Sequence, residues 1–115
     1  MMSDCIFCKI ITGEIPSTKL YEDDFVIAFK DLYPQAPIHF LVVPKIHIPC
    51  ALDITGENSV YVAKCFEVIA KLTKDFETGF RVINNCGEDA GQSVKHLHFH
   101  VLAGRKLGEK LCAEN

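Results

Sequence analysis

Three histidines alternate with apolar residues near the C-terminus, in the run His96-Leu97-His98-Phe99-His100-Val101. In a β-strand successive side chains point to opposite faces, so the three imidazoles would share one face at a spacing of about 7 Å. The apolar residues between them would then face the core. All five histidines of the chain lie in this run or between residues 39 and 47. Because imidazole is suited to proton transfer, nucleophilic attack and metal binding near neutral pH, the pattern predicts a functional site along this strand.

The length and composition predict one small domain over residues 1–115. Of the 115 residues, 49% are hydrophobic, which is enough to fill a single modest core. The formal net charge of -3 comes without a basic stripe, which argues against a nucleic-acid partner. The sequence has neither an apolar run of membrane-spanning length nor a signal-peptide pattern, so we expect a cytoplasmic protein with no membrane partner.

The six cysteines are interpreted as free thiols or metal ligands, since no secretory signal accompanies them. Cys5 and Cys8 lie one helical turn apart, a spacing common in zinc sites, and such a site would need two more ligands. His47 and one of the three clustered histidines are available for this role. Two small buried residues flanking a turn would show the same spacing, so both interpretations stay open. The cysteines predicted to be free and buried are Cys50, Cys65, Cys86 and Cys112.

The apolar periodicity predicts an α+β fold with an antiparallel sheet. Ser3 or Asp4 is placed to cap a short helix that ends near Ile11. Apolar residues at steps of three and four predict one amphipathic helix from Glu57 to Phe76. Strands are predicted over residues 24–31, 38–43, 80–85 and 95–103.

The loop before the histidine run, residues 84–93, combines glycines with an amide and a hydroxyl. Glycine permits close approach of the backbone, and both side-chain groups can donate to phosphate oxygens. A plain turn has much the same composition, so phosphate binding is only one of two interpretations of this loop.

A set of motifs spread from about Cys5 to Arg105 carries a family resemblance. The triad run continues into Leu102 and the small Ala103, and the other motifs are Glu14-Ile15-Pro16, Tyr21-Glu22-Asp23-Asp24, Ala28-Phe29-Lys30-Asp31, the run from Pro34 to Lys45, and Gly91-Gln92-Ser93. Together they resemble the histidine triad (HIT) superfamily, and within it the Hint branch of nucleoside phosphoramidases. The resemblance implies a five-stranded antiparallel sheet with one long helix and a short N-terminal helix.

The same resemblance implies a purine nucleotide hydrolase or transferase. It would cleave at the α-phosphorus of adenosine or guanosine 5′-monophosphate derivatives, with His98 as the nucleophile that forms a covalent nucleotidyl-histidine. No organic cofactor is implied. The residues implied to bind phosphoryl oxygens, shuttle protons or stabilise developing charge are His100, His39, Asn85, Ser93 and Gly91.

Two further sets of residues follow from the resemblance. The purine nucleoside would contact Ile6, Phe7, Ile10, Phe29, Leu32 and Asp31. The apolar members would sandwich the base, while the Asp31 carboxylate would accept from the ribose hydroxyls. A zinc site of structural rather than catalytic character is implied at Cys5, Cys8, His47 and His96.

Other functions stay open at this point. A dinucleoside polyphosphate hydrolase shares the triad, although Gln92-Ser93 favours the phosphoramidase branch. A non-catalytic nucleotide-binding module would use the triad only to hold phosphate. Relatives in the Hint branch are homodimers, and the helix from Glu57 to Phe76 is a candidate interface. The segment from Leu107 to Asn115 differs from relatives that place an aromatic residue in the partner's site, so the leaving group is not predicted.

Overall fold

One five-stranded antiparallel sheet forms the centre of the structure, a computed structural model that describes residues 5–108. The strand order is β1-β2-β3-β5-β4, and all neighbouring strands are antiparallel. The elements in chain order are α1 (Ile6–Ile11), β1 (Lys19–Glu22), β2 (Val26–Lys30), β3 (Ile38–Pro44), α2 (Ser59–Thr73), β4 (Arg81–Ile83) and β5 (Phe99–Ala103), with short 3-10 turns at Ala51–Asp53 and Glu88–Ala90. The predicted α+β architecture is confirmed.

Both faces of the sheet are buried, because a helix packs on each of them. Val26 of β2 belongs to the cluster that contains Ile69 of α2. The next residue, Ile27, belongs instead to the cluster that contains Phe7 of α1. Alternate side chains of one strand therefore enter two separate cores, which is why β2 and β3 are almost continuously apolar in sequence.

Strand β1 (Lys19–Glu22) is the element that the apolar pattern did not predict. It lies at the edge of the sheet, and its four residues are exposed or only half-buried. An edge strand with little burial has no need of alternating apolar residues, so it carries no period-two signal.

The histidine strand β5 is shorter than predicted, since it begins at Phe99 rather than near residue 95. The preceding residues bond elsewhere: the Leu97 N–H donates to the Ile48 carbonyl at 2.6 Å, and the His96 N–H donates to the Val94 carbonyl at 2.9 Å. The first half of the histidine run is thus attached to the segment that follows β3.

Both helices also differ slightly from the prediction. Cys5 is the N-cap of α1, where its Sγ accepts from the Cys8 N–H at 3.3 Å, while Ser3 and Asp4 lie outside the described residues. Helix α2 ends at Thr73, before the predicted Phe76. Within residues 5–108, no helix combines the length and the apolar character needed to cross a membrane.

Candidate active site and metal centre

The histidine run keeps its two-faced character although only its second half is a strand. Leu97, Phe99 and Val101 belong to the core cluster beneath α2. The imidazoles point the other way, toward α1, where the Phe7 ring lies edge-on to His98 with ring centroids 5.0 Å apart. The period-two argument therefore placed both sets of side chains correctly.

His96 is the point where the run meets the Cys-x-x-Cys pair. Its Nδ1 lies 3.4 Å from Cys5 Sγ and 3.6 Å from Cys8 Sγ, and His47 Nδ1 lies 3.3 Å from Cys8 Sγ. The four ligand atoms all lie within 4.8 Å of one another. Tetrahedral zinc with bonds of 2.0–2.3 Å separates its ligands by roughly 3.3–3.8 Å, so the spacing fits such an ion.

The protonation of this cluster also suits a metal. The fully buried His96 donates from Nε2 to the Pro44 carbonyl at 2.9 Å, which leaves the Nδ1 lone pair directed at the thiols. Burial lowers the pKa of His96 to about 4, so the ring is neutral. Burial, followed by contact with Cys5, raises the pKa of Cys8 to about 11, so without a cation this thiol keeps its proton.

His98 has the opposite tautomer from His96. Its Nδ1 contacts the His96 carbonyl at 2.7 Å, and because a carbonyl can only accept, Nδ1 carries the proton. The lone pair is then on Nε2. Burial lowers the pKa of His98, against the opposing effect of the His96 carbonyl, which favours the neutral ring that a nucleophile requires.

Asn84 holds the backbone of this residue, since its Nδ2 donates to the His98 carbonyl at 2.9 Å. The resemblance gives the next residue, Asn85, a different role, the stabilisation of developing charge or of the leaving group, and that role stays a prediction. A side chain that bonds to a distant backbone carbonyl leaves no periodic trace in a sequence, so the sequence did not signal Asn84.

His39 and His100 form a second pair, brought together by strand register. Leu41 pairs with His100 and His39 pairs with Leu102, which places the two histidines diagonally on one face of the sheet. His39 Nε2 and His100 Nδ1 are 2.9 Å apart.

The tautomers of this pair follow from one further contact. The Gln35 N–H donates to His39 Nδ1 at 2.9 Å, so the proton of His39 is on Nε2 and is shared with His100 Nδ1. His100 must then carry its own proton on Nε2. Burial, with repulsion from His98 and His39, lowers the pKa of His100 to about 4 and keeps it neutral.

Asp31, the residue directly after β2, lies beside His39 and His100. Its Oδ2 lies 3.3 Å from His39 Nε2 and 3.8 Å from His100 Nδ1, and its Oδ1 accepts from the Tyr33 N–H at 2.8 Å. The carboxylate is thus fixed in orientation beside the two imidazoles.

A cavity of about 340 Å³ opens beside these histidines, between α1 and the sheet. Ser93, His98 and His100 line it together with all six residues that the resemblance assigned to the nucleoside, namely Ile6, Phe7, Ile10, Phe29, Asp31 and Leu32. Gly91, Asn85 and His39 are not among its lining residues, and His39 instead contacts His100. The lining residues to which the sequence analysis gave no role in the site are Ile15, Pro16, Ser17, Thr18, Lys30, Tyr33, Leu41 and Val94.

The loop over residues 84–93 is held by the side chain of Gln92. Its Nε2 donates to the Pro49 carbonyl at 2.7 Å and to the Val94 carbonyl at 3.0 Å, and its Oε1 accepts from the Gly87 N–H at 2.8 Å. The Gln92 amide is therefore engaged with the backbone, and Ser93 is the loop side chain that reaches the cavity.

The prediction that the remaining cysteines are buried is only partly correct. Cys65, a residue of α2, is fully buried, but Cys50 is half-buried and Cys86 is exposed. Cys112 lies outside the described residues. A loop position next to Gly87 has no core to enter, which explains the exposure of Cys86.

Comparison with known proteins gives consistent matches over nearly the whole chain. The sequence profile of the family described as scavenger mRNA decapping enzyme C-terminal binding matches residues 4–111. The purine nucleoside phosphoramidase of Escherichia coli K12 is 43% identical over 114 residues, which are 96% of each chain. A histidine triad protein from Clostridium difficile superposes with a TM-score of 0.88 at 59% identity, covering 92% of this chain and 95% of that one. A HIT family hydrolase from Clostridium thermocellum superposes with a TM-score of 0.92 at 44% identity, covering 96% and 99%.

Proposed function

The chain belongs to the histidine triad superfamily, and from this premise we propose that it is a hydrolase of purine nucleoside 5′-phosphoramidates and related 5′-monophosphate derivatives. The observation that carries the proposal is the tautomer of His98. Its Nδ1 proton is bound to the His96 carbonyl at 2.7 Å, so the Nε2 lone pair is free on a residue that lines the cavity. A neutral imidazole with one nitrogen fixed as a donor is the form that attacks phosphorus.

The cavity suits a purine nucleoside beside this nucleophile. Its volume lies within the range of small-ligand pockets, and one wall is apolar while the other carries imidazoles, a carboxylate and a hydroxyl. Phe29 and Ile10 would contact the base. Asp31 would accept from a ribose hydroxyl, and the fixed orientation of its carboxylate by the Tyr33 N–H supports this role.

The reaction would proceed in two displacements at the α-phosphorus. His98 Nε2 attacks and forms a P–N bond as the bond to the leaving amine breaks, and the amine takes up a proton from solvent water, which the attacking water of the second step returns. Water then attacks the nucleotidyl-His98, which releases the 5′-monophosphate and restores the ring. Positioning and charge stabilisation dominate such transfers.

The surrounding residues have distinct parts in these steps. The Nε2–H of His100 donates to a phosphoryl oxygen, and the contact from His39 maintains that tautomer. The Ser93 hydroxyl hydrogen-bonds the leaving group. Asn85 and Gly91 do not line the cavity, so they are weaker candidates than Ser93 for contact with the substrate.

We also propose that Cys5, Cys8, His47 and His96 hold a structural zinc ion. When bound, the ion would act as a crosslink and would supply no Lewis-acid chemistry to the substrate. It would join α1, which carries cavity residues, to the segment that precedes the nucleophile, because the His96 carbonyl accepts the hydrogen bond from His98 Nδ1.

A homodimer is a further part of the proposal. Helix α2 exposes Val60 and Phe66, which are 48% and 46% accessible in the single chain. Exposed apolar side chains on one helix are suited to pairing with a second copy of the chain.

The proposed activity is tested with a fluorogenic adenosine 5′-phosphoramidate, comparing wild type with His98→Ala. Wild type should turn over and His98→Ala should lose all measurable turnover while still binding adenosine monophosphate, since the cavity stays in place. Thr78→Ala, an exposed change in the turn after α2, is the matched control and should match wild type. Absence of turnover in the wild type, with nucleotide still bound, would show a binding module instead.

A further inference from the structure

The chain leaves β5 in close contact with the loop that joins β2 to β3. Gly104 directly follows β5 with a φ of 98°, and a Cβ added to it would lie 2.9 Å from Pro37 Cβ. A side chain there would be strained and would press on the loop. The Arg105 guanidinium donates to the Gln35 carbonyl at 3.2 Å and to the Lys106 carbonyl at 2.9 Å. The residues after β5 therefore hold the backbone of Gln35 from outside the cavity.

Gln35 is also the residue on which the His39–His100 pair depends. Its N–H donates to His39 Nδ1 at 2.9 Å, so the proton of His39 is on Nε2, which contacts His100 Nδ1 at 2.9 Å. Arg105 thus holds the carbonyl of a residue whose N–H contacts the imidazole. A shift of the Gln35 backbone would weaken that N–H contact.

The pair could place its protons in two ways, and they differ in what His100 presents to the cavity. With the His39 proton on Nε2, His100 accepts at Nδ1 and carries a donor on Nε2. With the His39 proton on Nδ1, His39 Nε2 would accept from His100 Nδ1, and His100 Nε2 would carry a lone pair. A lone pair repels a phosphoryl oxygen, whereas an N–H stabilises it. The Gln35 N–H disfavours the second arrangement, because two donors would then face each other.

Asp31 supports the first arrangement from the other side of His39. Its Oδ2 lies 3.3 Å from His39 Nε2, and a carboxylate can only accept, so it favours the proton on Nε2. The ligand atoms of Asp31, His39 and His100 also lie within 4.8 Å of one another, a spacing that could hold a metal ion. Because His39 Nε2 carries a proton and offers no lone pair, these three residues form a hydrogen-bonded group instead.

We propose that Arg105 is a positioning residue for the His39–His100 pair. Its bond to the Gln35 carbonyl fixes the N–H that selects the tautomer in which His100 donates to the phosphoryl group. The effect on turnover rests on the proposed hydrolase function, whereas the effect on the tautomer does not. Arg105 does not line the cavity, so it acts through Gln35 and His39.

The test uses the full-length protein with zinc present and four variants. Arg105→Met removes both donors and keeps an unbranched side chain, and Arg105→Lys returns one donor as the conservative rescue. Gly104→Ala disturbs the same loop through Pro37 and leaves the guanidinium in place. Lys106→Met is the matched control, because it removes a positive charge from the exposed neighbouring residue without touching the Gln35 contact.

The first readout is the protonation of the ring nitrogens, measured by long-range ¹H–¹⁵N correlation NMR on protein labelled with ¹⁵N-histidine. Wild type and Lys106→Met should show His39 with an unprotonated Nδ1 and a protonated Nε2. Arg105→Met and Gly104→Ala should move the two ring signals of His39 in opposite directions, toward the other tautomer. The movement should be partial, because Asp31 stays in place, and Arg105→Lys should reverse most of it.

The second readout separates kcat from KM for an adenosine 5′-phosphoramidate. The bond from His100 to the phosphoryl oxygen strengthens as charge develops in the transition state, so its weakening affects kcat more than KM. Arg105→Met should lower kcat about 3- to 10-fold, the effect of losing part of one charge-assisted hydrogen bond, with KM nearly unchanged. Arg105→Lys should restore most of the rate, and Lys106→Met should match wild type.

Two results would overturn the inference. One is that the His39 ring signals of Arg105→Met and Gly104→Ala coincide with those of wild type, even if wild type turns over. The other is a shifted tautomer with an unchanged kcat. Absence of turnover in wild type would contradict the hydrolase proposal alone, because the ring signals need no turnover and would still decide whether Arg105 sets the tautomer.

Discussion

Gln92 offers a direct test of how the loop beside the cavity is held. Its side chain makes three hydrogen bonds to backbone groups, at 2.7, 2.8 and 3.0 Å, and the bond to the Pro49 carbonyl connects the loop to the segment after β3. A hydrogen bond contributes about 0.5–1.5 kcal/mol net, and water replaces part of this at a half-buried position. Gln92→Met, which keeps the shape and removes all three bonds, should therefore lower the free energy of unfolding by about 2 kcal/mol.

The assay is urea unfolding at neutral pH with zinc present, supported by thermal melts. A loss of this size in a chain of 115 residues corresponds to a fall in Tm of roughly 8 °C. Gln92→Glu should be no better than Gln92→Met, because a carboxylate cannot donate to the Pro49 and Val94 carbonyls. Gln35→Met is the matched control, since the exposed Gln35 side chain makes a single bond, to the Tyr33 carbonyl. Equal stabilities of Gln92→Met and Gln35→Met would refute the reasoning.

Three further predictions concern the metal, the ribose contact and pH. Cys5→Ser should lower both the zinc content measured by atomic emission and the Tm, and the difference in Tm should vanish when a chelator is added to both proteins. Asp31→Asn should raise KM for the nucleotide more than it lowers kcat, in steady-state kinetics; an unchanged KM would contradict the ribose role. Burial lowers the pKa of His100 from 6.5 to about 4. As the pH falls, the unfolded chain therefore protonates the His100 ring near pH 6.5, whereas the native protein protonates it only near pH 4. The stability that His100 contributes is therefore complete above pH 6.5 and is lost toward pH 4. Between pH 7 and pH 5, urea unfolding should show a larger fall in the free energy of unfolding for wild type than for His100→Asn.

The sequence predicted those features that depend on periodicity. Alternation in the run His96 to Val101 separated an imidazole face from a core face, and that separation survives although β5 begins only at Phe99. Steps of three and four residues located α2 to within a few residues of its ends. Burial drives both patterns, so both are visible in the order of apolar residues.

Features that depend on contacts between distant segments were not visible in the same way. Asn84 and Gln92 both use side-chain amides to bind backbone groups of other segments. Strand β1 at the sheet edge buries too little to show a pattern.

The account depends most on His98 as the nucleophile. The most direct measurement is rapid quenching of the wild-type protein into alkali during turnover of an adenosine 5′-phosphoramidate, followed by peptide mapping of protein-bound adenosine monophosphate. The account predicts that the nucleotide is found on the peptide that contains His98 and specifically on that ring. Nucleotide bound to His100 or to another residue, or turnover with no protein-bound nucleotide at any time point, would contradict it.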